Sequence, residues 1–285
     1  MNTTKGKLKK IGARMLAIIL NDELYASSAQ LSYALIMAMI PLVMFVITLA
    51  GRFNLPMTSI YDYLSFILPK QSYAIVTTII DEIISSSSWS LITFFSCIYC
   101  ISIATRGFMR ISNKAYKTVN ERGVFLNLLV SLVFAVIIIA VIILSLIVVI
   151  FGDLILSFLF GLLKIEVGSF YTLLRYFVSY VSFSLLLSLI YYLAPARFKR
   201  NKFSLVGGFV SALFWLIGSA VFGIYVNNFS NYGILFGSLG GIFLLFVWLY
   251  WTSLILLIGL YINVNIYNVN REEEQSLVDS KKLDD

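Results

Sequence analysis

Tyr225-Val-Asn-Asn-Phe-Ser-Asn-Tyr-Gly-Ile-Leu-Phe-Gly-Ser-Leu-Gly-Gly241 is a knot of asparagine, serine and glycine between two apolar stretches. Around it, residues 203–270 hold no Asp, Glu, Lys or Arg, and Lys202 and Arg271 are the flanking charges. A soluble domain carries about 25% charged residues and spreads them over every element. An uncharged run of this length therefore has no water-facing side. It predicts two membrane spans folded back on each other, with the polar knot as their hairpin.

The rest of the chain agrees. Of 285 residues, 60% are hydrophobic and only 12% charged, with a mean hydropathy of +0.94. The reading is an all-α, polytopic membrane helix bundle forming a single membrane domain over 1–285. Lys5, Lys7, Lys9, Lys10 and Arg14 precede a short apolar patch and then Asn21-Asp22-Glu23, with no small-residue cleavage pattern, so no cleavable signal is expected.

A span needs about 20 predominantly apolar residues. Six stretches meet or approach that length: 31–51, 89–105, 124–152, 176–196, 203–226 and 233–265. The connections separate by charge. Lys5, Lys7, Lys9, Lys10 and Arg14, then Arg106, Arg110, Lys114, Lys117 and Arg122, then Arg197, Lys199, Arg200 and Lys202 form one set. Arg52, Lys70, Lys164 and Arg175 form the other, a contrast of 14 against 4. The basic set is expected in the cytoplasm, which puts both termini there, the tail 267–285 forming a mobile, mixed-charge end.

Two segments fall outside the spans. Within 1–27, Leu8, Ile11, Met15, Ile18 and Ile19 share a helical face away from Lys7, Lys10 and Arg14. Such a basic amphipathic helix is expected to lie among anionic headgroups, with membrane lipids as its partners; docking a partner protein is the other reading. Residues 53–88 repeat apolar positions at helical spacing on either side of Pro69-Lys70-Gln71, predicting extracytoplasmic amphipathic helices.

Chemistry has few places to reside. Histidine is absent, which removes the commonest general base and metal ligand. Cys97-Ile-Tyr-Cys100 has redox spacing but lies inside an apolar run, where two small packed residues are the simpler reading. No catalytic, metal or cofactor constellation is found, and the positive charge follows topology, so no nucleic-acid partner is expected. Asp153 and Arg175 could pair across the outer mouth, or be two solvated helix ends. Pro41 removes a backbone hydrogen bond inside the first span and predicts a kink.

The neutral polar residues remain. Gly233, Gly237 and Gly241 repeat every four residues, the spacing that lets helix backbones approach closely. Close packing is one reading of the pattern. The other is a helix that begins or breaks in the knot, so that Asn227, Asn228, Asn231, Tyr232 and Ser238 bind a polar solute or headgroup.

Several of these segments resemble the BrkB/YihY family of bacterial inner-membrane proteins. Ser28-Ala-Gln-Leu-Ser-Tyr-Ala-Leu-Ile-Met-Ala-Met-Ile-Pro41 looks like that family's first span. Leu193-Ala-Pro-Ala-Arg197, Gly207-Gly208 and Trp215 are similar to its basic loop and the entry to its fifth. Tyr225-Val-Asn-Asn-Phe229, Tyr232-Gly233 and Trp248-Leu-Tyr250 resemble its closing signature. The likeness runs over about residues 10–266. One departure stands out: where the family commonly has Gly-Ala-Glu-Leu-Asn, this chain has Gly259-Leu-Tyr-Ile-Asn263, so Tyr261 replaces a carboxylate.

The resemblance implies a plasma-membrane location, a link in name to virulence, and for some members an old ribonuclease BN label. Metal-dependent RNA hydrolysis needs clustered carboxylates or histidines, and the cytoplasmic side offers only Asp22, Glu23, Glu121 and the acidic tail. The expected function is transport or the handling of a lipid or amphiphile through neutral polar groups. A non-transporting scaffold is the alternative, and a nuclease comes third.

Overall fold

The computed structural model describes residues 2–52, 77–78, 81–82, 89–118, 123–139, 169–196, 204–228 and 238–284, all in helices or short connections. The helices are α1 (Asn2–Ile19), α2 (Asp22–Arg52), α3 (Trp89–Ala115), α4 (Val124–Ile139), α5 (Ser169–Leu193), α6 (Ser204–Asn228) and α7 (Ser238–Asp284). The extracytoplasmic segment expected at 53–88 lies almost wholly outside the described residues, as do 140–152 of the third expected span.

Four helical segments are long and apolar enough to cross a membrane: Asp22–Thr48, Leu91–Ala115, Ser204–Tyr225 and Phe243–Ser276. The surface says the same. Tyr33, Met37 and Ile40 on α2, Leu91, Phe95 and Tyr99 on α3, Leu213, Ile217 and Val221 on α6, and Phe243 and Phe246 on α7 are exposed. These apolar ridges recur at helical spacing on one element after another. That is the surface of a protein whose solvent is lipid.

Element ends follow local chemistry. Asn21 Oδ1 accepts the Glu23 N–H at 2.9 Å, capping α2 and separating it from α1. The basic segment 1–27 is thus two elements, its last six residues belonging to α2. At the other end of α3, Lys117 N–H reaches the Lys114 carbonyl at 3.1 Å and Thr118 N–H the Asn113 carbonyl at 3.0 Å. Lys117 takes φ 50° to close that turn, a left-handed position usually given to glycine. α3 therefore runs ten residues past the expected end at 105 and carries Arg106, Arg110 and Lys114 on a helix.

α7 also differs from expectation. The tail 267–285, anticipated as a mobile end, is helical to Asp284 and continuous with the last span. Glu272 on that extension accepts Lys10 Nζ at 2.6 Å and an Arg14 guanidinium N–H at 2.7 Å. α1 is thereby clasped against α7. Its Ile18 packs on the core while Leu16 and Leu20 remain exposed.

The packing divides the bundle into two groups. α2 packs on α3 most extensively, and α4 joins them through Ala135 and Ile139, against Ala38, Phe45, Cys97 and Ile101. Cys97 and Cys100 are free, buried and half-buried, as small packed residues should be. α5, α6 and α7 make the second group, and α7 also packs on α2.

Candidate functional site

The crossing of α5, α6 and α7 is built from small residues and spent hydrogen bonds. A Cβ on Gly207 would meet the Asn263 amide and the Gly259 carbonyl. On Gly208 it would meet Ser188 and the Ser184 carbonyl, and on Gly259 it would meet Ser211 and Tyr191. These glycines allow backbones to touch where lipid supplies no hydrophobic drive for association. Through the gap, Asn263 Oδ1 accepts the Gly207 N–H at 2.8 Å, in the first turn of α6. The Tyr191 hydroxyl lies 2.8 Å from Ser211 Oγ and donates to the Leu256 carbonyl at 2.9 Å. Tyr191, Ser211 and Asn263 are essentially inaccessible.

The two buried serines described on the fourth span are used up in the same way. Ser184 Oγ donates to the Tyr180 carbonyl and Ser188 Oγ to the Ser184 carbonyl, each at 2.7 Å. A hydroxyl bonded to its own helix offers little to a passing solute. Beyond the crossing, Phe183, Trp215, Trp248 and Phe222 stack in sequence, with centroids 5.1, 5.7 and 4.9 Å apart. This half of the bundle is a packed seam, and Gly207, Gly208 and Gly259 in it mark contact.

The other group packs less closely against it and leaves a partly open space. A cavity of about 350 Å³ lies between the two groups. Its wall is Leu31, Leu35, Ala38, Met39 and Leu42 from α2, Ile101, Ala104, Thr105 and Phe108 from α3, and Phe134 and Ile138 from α4. Leu187 and Ile190 of α5 and Leu249 and Leu256 of α7 close it. The single polar side chain among the described lining residues, Thr105, donates its hydroxyl to the Ile101 carbonyl at 2.8 Å. The wall therefore presents carbon, and the volume is within the range of ligand sites, about 300–1,000 Å³.

The residues predicted from the polar knot occupy another level. Asn227 and Asn228 end α6, Ser238 opens α7, and Gly241 follows in its first turn. From Ser238 to Leu249, the first cavity residue on α7, the helix rises about 16 Å. Asn231, Tyr232, Gly233, Gly237 and Asp153 lie outside the described residues, and Arg175 falls on α5. Pro41 lies inside α2, which continues through it as one helix just beyond cavity residues Ala38 and Met39. Sequence reasoning missed the cavity because Leu, Ala and Phe look the same whether they fill space or surround it.

Tyr261 is half-buried and close enough to Glu23 and Lys114 to feel both charges. Those two form an ion pair of 2.6 Å that joins α2 to α3. Burial pushes the nearby Tyr116 phenol above its ordinary range and keeps it neutral. Among the described residues, no three side chains of metal-binding type come together.

Comparison with known proteins places the chain. The profile of the family described as Virulence factor BrkB matches residues 16–283. The ribonuclease-like protein YfkH of Bacillus subtilis (strain 168) is 24% identical over 251 residues, covering 85% of this chain and 90% of that protein. The UPF0761 membrane protein YihY of Salmonella newport (strain SL254) is 39% identical over 89 residues, 31% of this chain and 29% of its own. A UPF0761 membrane protein of Psychromonas ingrahamii is 31% identical over 94 residues, 33% of this chain and 32% of its own. The chain thus aligns with about a third of the length of these last two relatives. No solved structure matches it.

Proposed function

The chain belongs to the BrkB family of membrane proteins, and on that premise we propose that it binds and moves an amphiphile whose hydrocarbon part occupies the interior cavity. The observation that carries the reading is the carbon-lined space of about 350 Å³ in a bundle whose other half is closely packed. The space is partly open at the surface, and a hydrocarbon occupant gains dispersion contacts along its carbon lining.

We place six spans in the bilayer of a bacterial plasma membrane, with both termini in the cytoplasm beside the basic connections. In this arrangement Asn227, Asn228, Asn231, Tyr232 and Ser238 form a neutral polar region at the outer end, suited to a headgroup. The exposed Leu16 of α1 and Leu20 just past its end suit insertion into an anionic leaflet.

Reconstitution into liposomes tests the reading. The wild-type chain should relocate a fluorescent phospholipid between leaflets, and Ala104→Phe, which fills the cavity, should reduce that rate about tenfold while the protein stays folded. An unchanged rate in Ala104→Phe sinks the cavity as the site. Unchanged transfer after alanine replacement of Asn227, Asn228, Asn231 and Ser238 together removes the knot from the path. A scaffold would move no lipid at all. RNA incubated with magnesium and the same preparation should remain intact.

A further inference from the structure

A second pocket, of about 510 Å³, opens at the basic end of the bundle between α3 and α4. Arg106, Arg110 and Asn113 line it from α3, at the i, i+4, i+7 spacing that puts three side chains on one helical face. Val124 and Asn127, in the first turn of α4, form the facing wall. The α3 residues of the interior cavity, Ile101, Ala104 and Phe108, follow a different stripe of the same helix, so the two spaces are separate sites.

Three other cations at this end of the protein are already held by carboxylates. Lys114 is paired with Glu23, and Lys10 and Arg14 share Glu272. Arg106 is only partly exposed, yet among the described residues neither it nor Arg110 has a carboxylate or hydrogen-bond partner. A partly buried guanidinium beside a lipid-facing surface is costly unless its donors are met. Asn113 adds a donor. Its Oδ1 accepts the Ala196 N–H at 2.7 Å, which pins the α5–α6 connection to α3 and leaves its amide N–H groups for another acceptor. The pocket thus collects two fork-shaped cations and neutral amides, with no acid among its described lining residues.

We propose that this pocket binds a phosphate group, and specifically the phosphodiester of an anionic membrane lipid. Guanidinium forks match phosphate oxygens bidentately. The apolar members Ile103, Met109 and Val124 surround the same space, and Val124 is almost fully exposed, a wall that suits the start of an acyl chain better than a free ion. The basic end is where anionic headgroups concentrate if it faces the cytoplasm. The site is independent of the interior cavity: a lipid held here would anchor α3 to α4 whether or not the cavity carries an amphiphile.

Native mass spectrometry of the full chain in detergent tests this, with dioleoyl phosphatidylglycerol, dioleoyl phosphatidylcholine and inorganic phosphate as probes. Wild type should retain phosphatidylglycerol in preference to phosphatidylcholine, and the double variant Arg106→Gln/Arg110→Gln should lose roughly tenfold in that retention. Arg110→Gln alone, at an exposed side chain, should lose part of it without threatening the fold. Lys9→Gln/Lys117→Gln, which removes as much charge elsewhere on the same side, should change nothing. Displacement of the lipid by millimolar phosphate, lost in the double variant, would support the phosphate site and name a soluble phosphate as its source. Resistance to phosphate would support the lipid. Equal retention by wild type and both arginine variants, or an equal loss in the lysine control, overturns the proposal. The leaflet-transfer assay with Ala104→Phe reports on the other site and fails or succeeds separately.

Discussion

The α5–α6–α7 crossing and the α2–α3–α4 side use the same vocabulary of Ala, Ser, Leu and Phe with opposite results. At the crossing, Gly207, Gly208 and Gly259 bring backbones so close that a single carbon would not fit, and Tyr191, Ser211 and Asn263 bond across the contact. On the other side the helices are tied at points, such as Ser102 Oγ to Ser131 Oγ at 2.7 Å, and leave about 350 Å³ between those ties and the seam. A helix protein in lipid gains little from hiding apolar surface, so contact area and hydrogen bonds decide which parts hold together. The difference teaches that one half is a fixed body and the other has room to accept a guest.

That contrast can be broken most severely at the seam. Gly208→Val pushes two methyl groups into Ser188 and the Ser184 carbonyl, and should cost about 3 kcal/mol or prevent folding; thermal unfolding in detergent measures it. Tyr191→Phe keeps the ring and removes the hydroxyl that bridges Ser211 and the Leu256 carbonyl. It should cost about 1–2 kcal/mol by the same measurement. If both are tolerated, the seam is not the fixed body.

On the open side, Ala104→Leu extends a side chain into the cavity and should shift stability by less than about 1 kcal/mol in either direction. A loss as large as that of Gly208→Val would mean that the space is occupied by the protein itself. The smallest effect belongs to the clasp of α1. Glu272→Gln removes an acceptor shared by two exposed cations, a contribution of about 0–1 kcal/mol that salt screens. Faster hydrogen exchange in α1 at low salt, converging on wild type at high salt, is the expected signature.

The membrane class and the paired helices on either side of 229–237 are legible in the sequence, because a charge-free run permits few other structures. The glycine pattern is legible only in part. Gly207, Gly208 and Gly259 mark close approach, yet nothing in the sequence distinguishes them from Gly223, beside which a Cβ would meet open space. The length of α3 is hidden for a physical reason. Arg106, Arg110 and Lys114 look like a loop when hydropathy alone sets the boundary, but helices continue past the hydrocarbon wherever side chains can reach water or a partner. Read by spacing, the same residues show one cationic face. The charged end of α7 hides likewise, since its helix is held by Glu272 meeting Lys10 and Arg14 from the far end of the chain.

The clasp places the first and last helices of the chain under joint control. Because Glu272 holds both Lys10 and Arg14, releasing one end also frees the other. A surface that attracts the lysines of α1, such as a leaflet rich in anionic lipid, competes directly with Glu272 for them. The composition of the membrane would then set how firmly the charged end of α7 is tethered to α1, without any ligand entering the bundle.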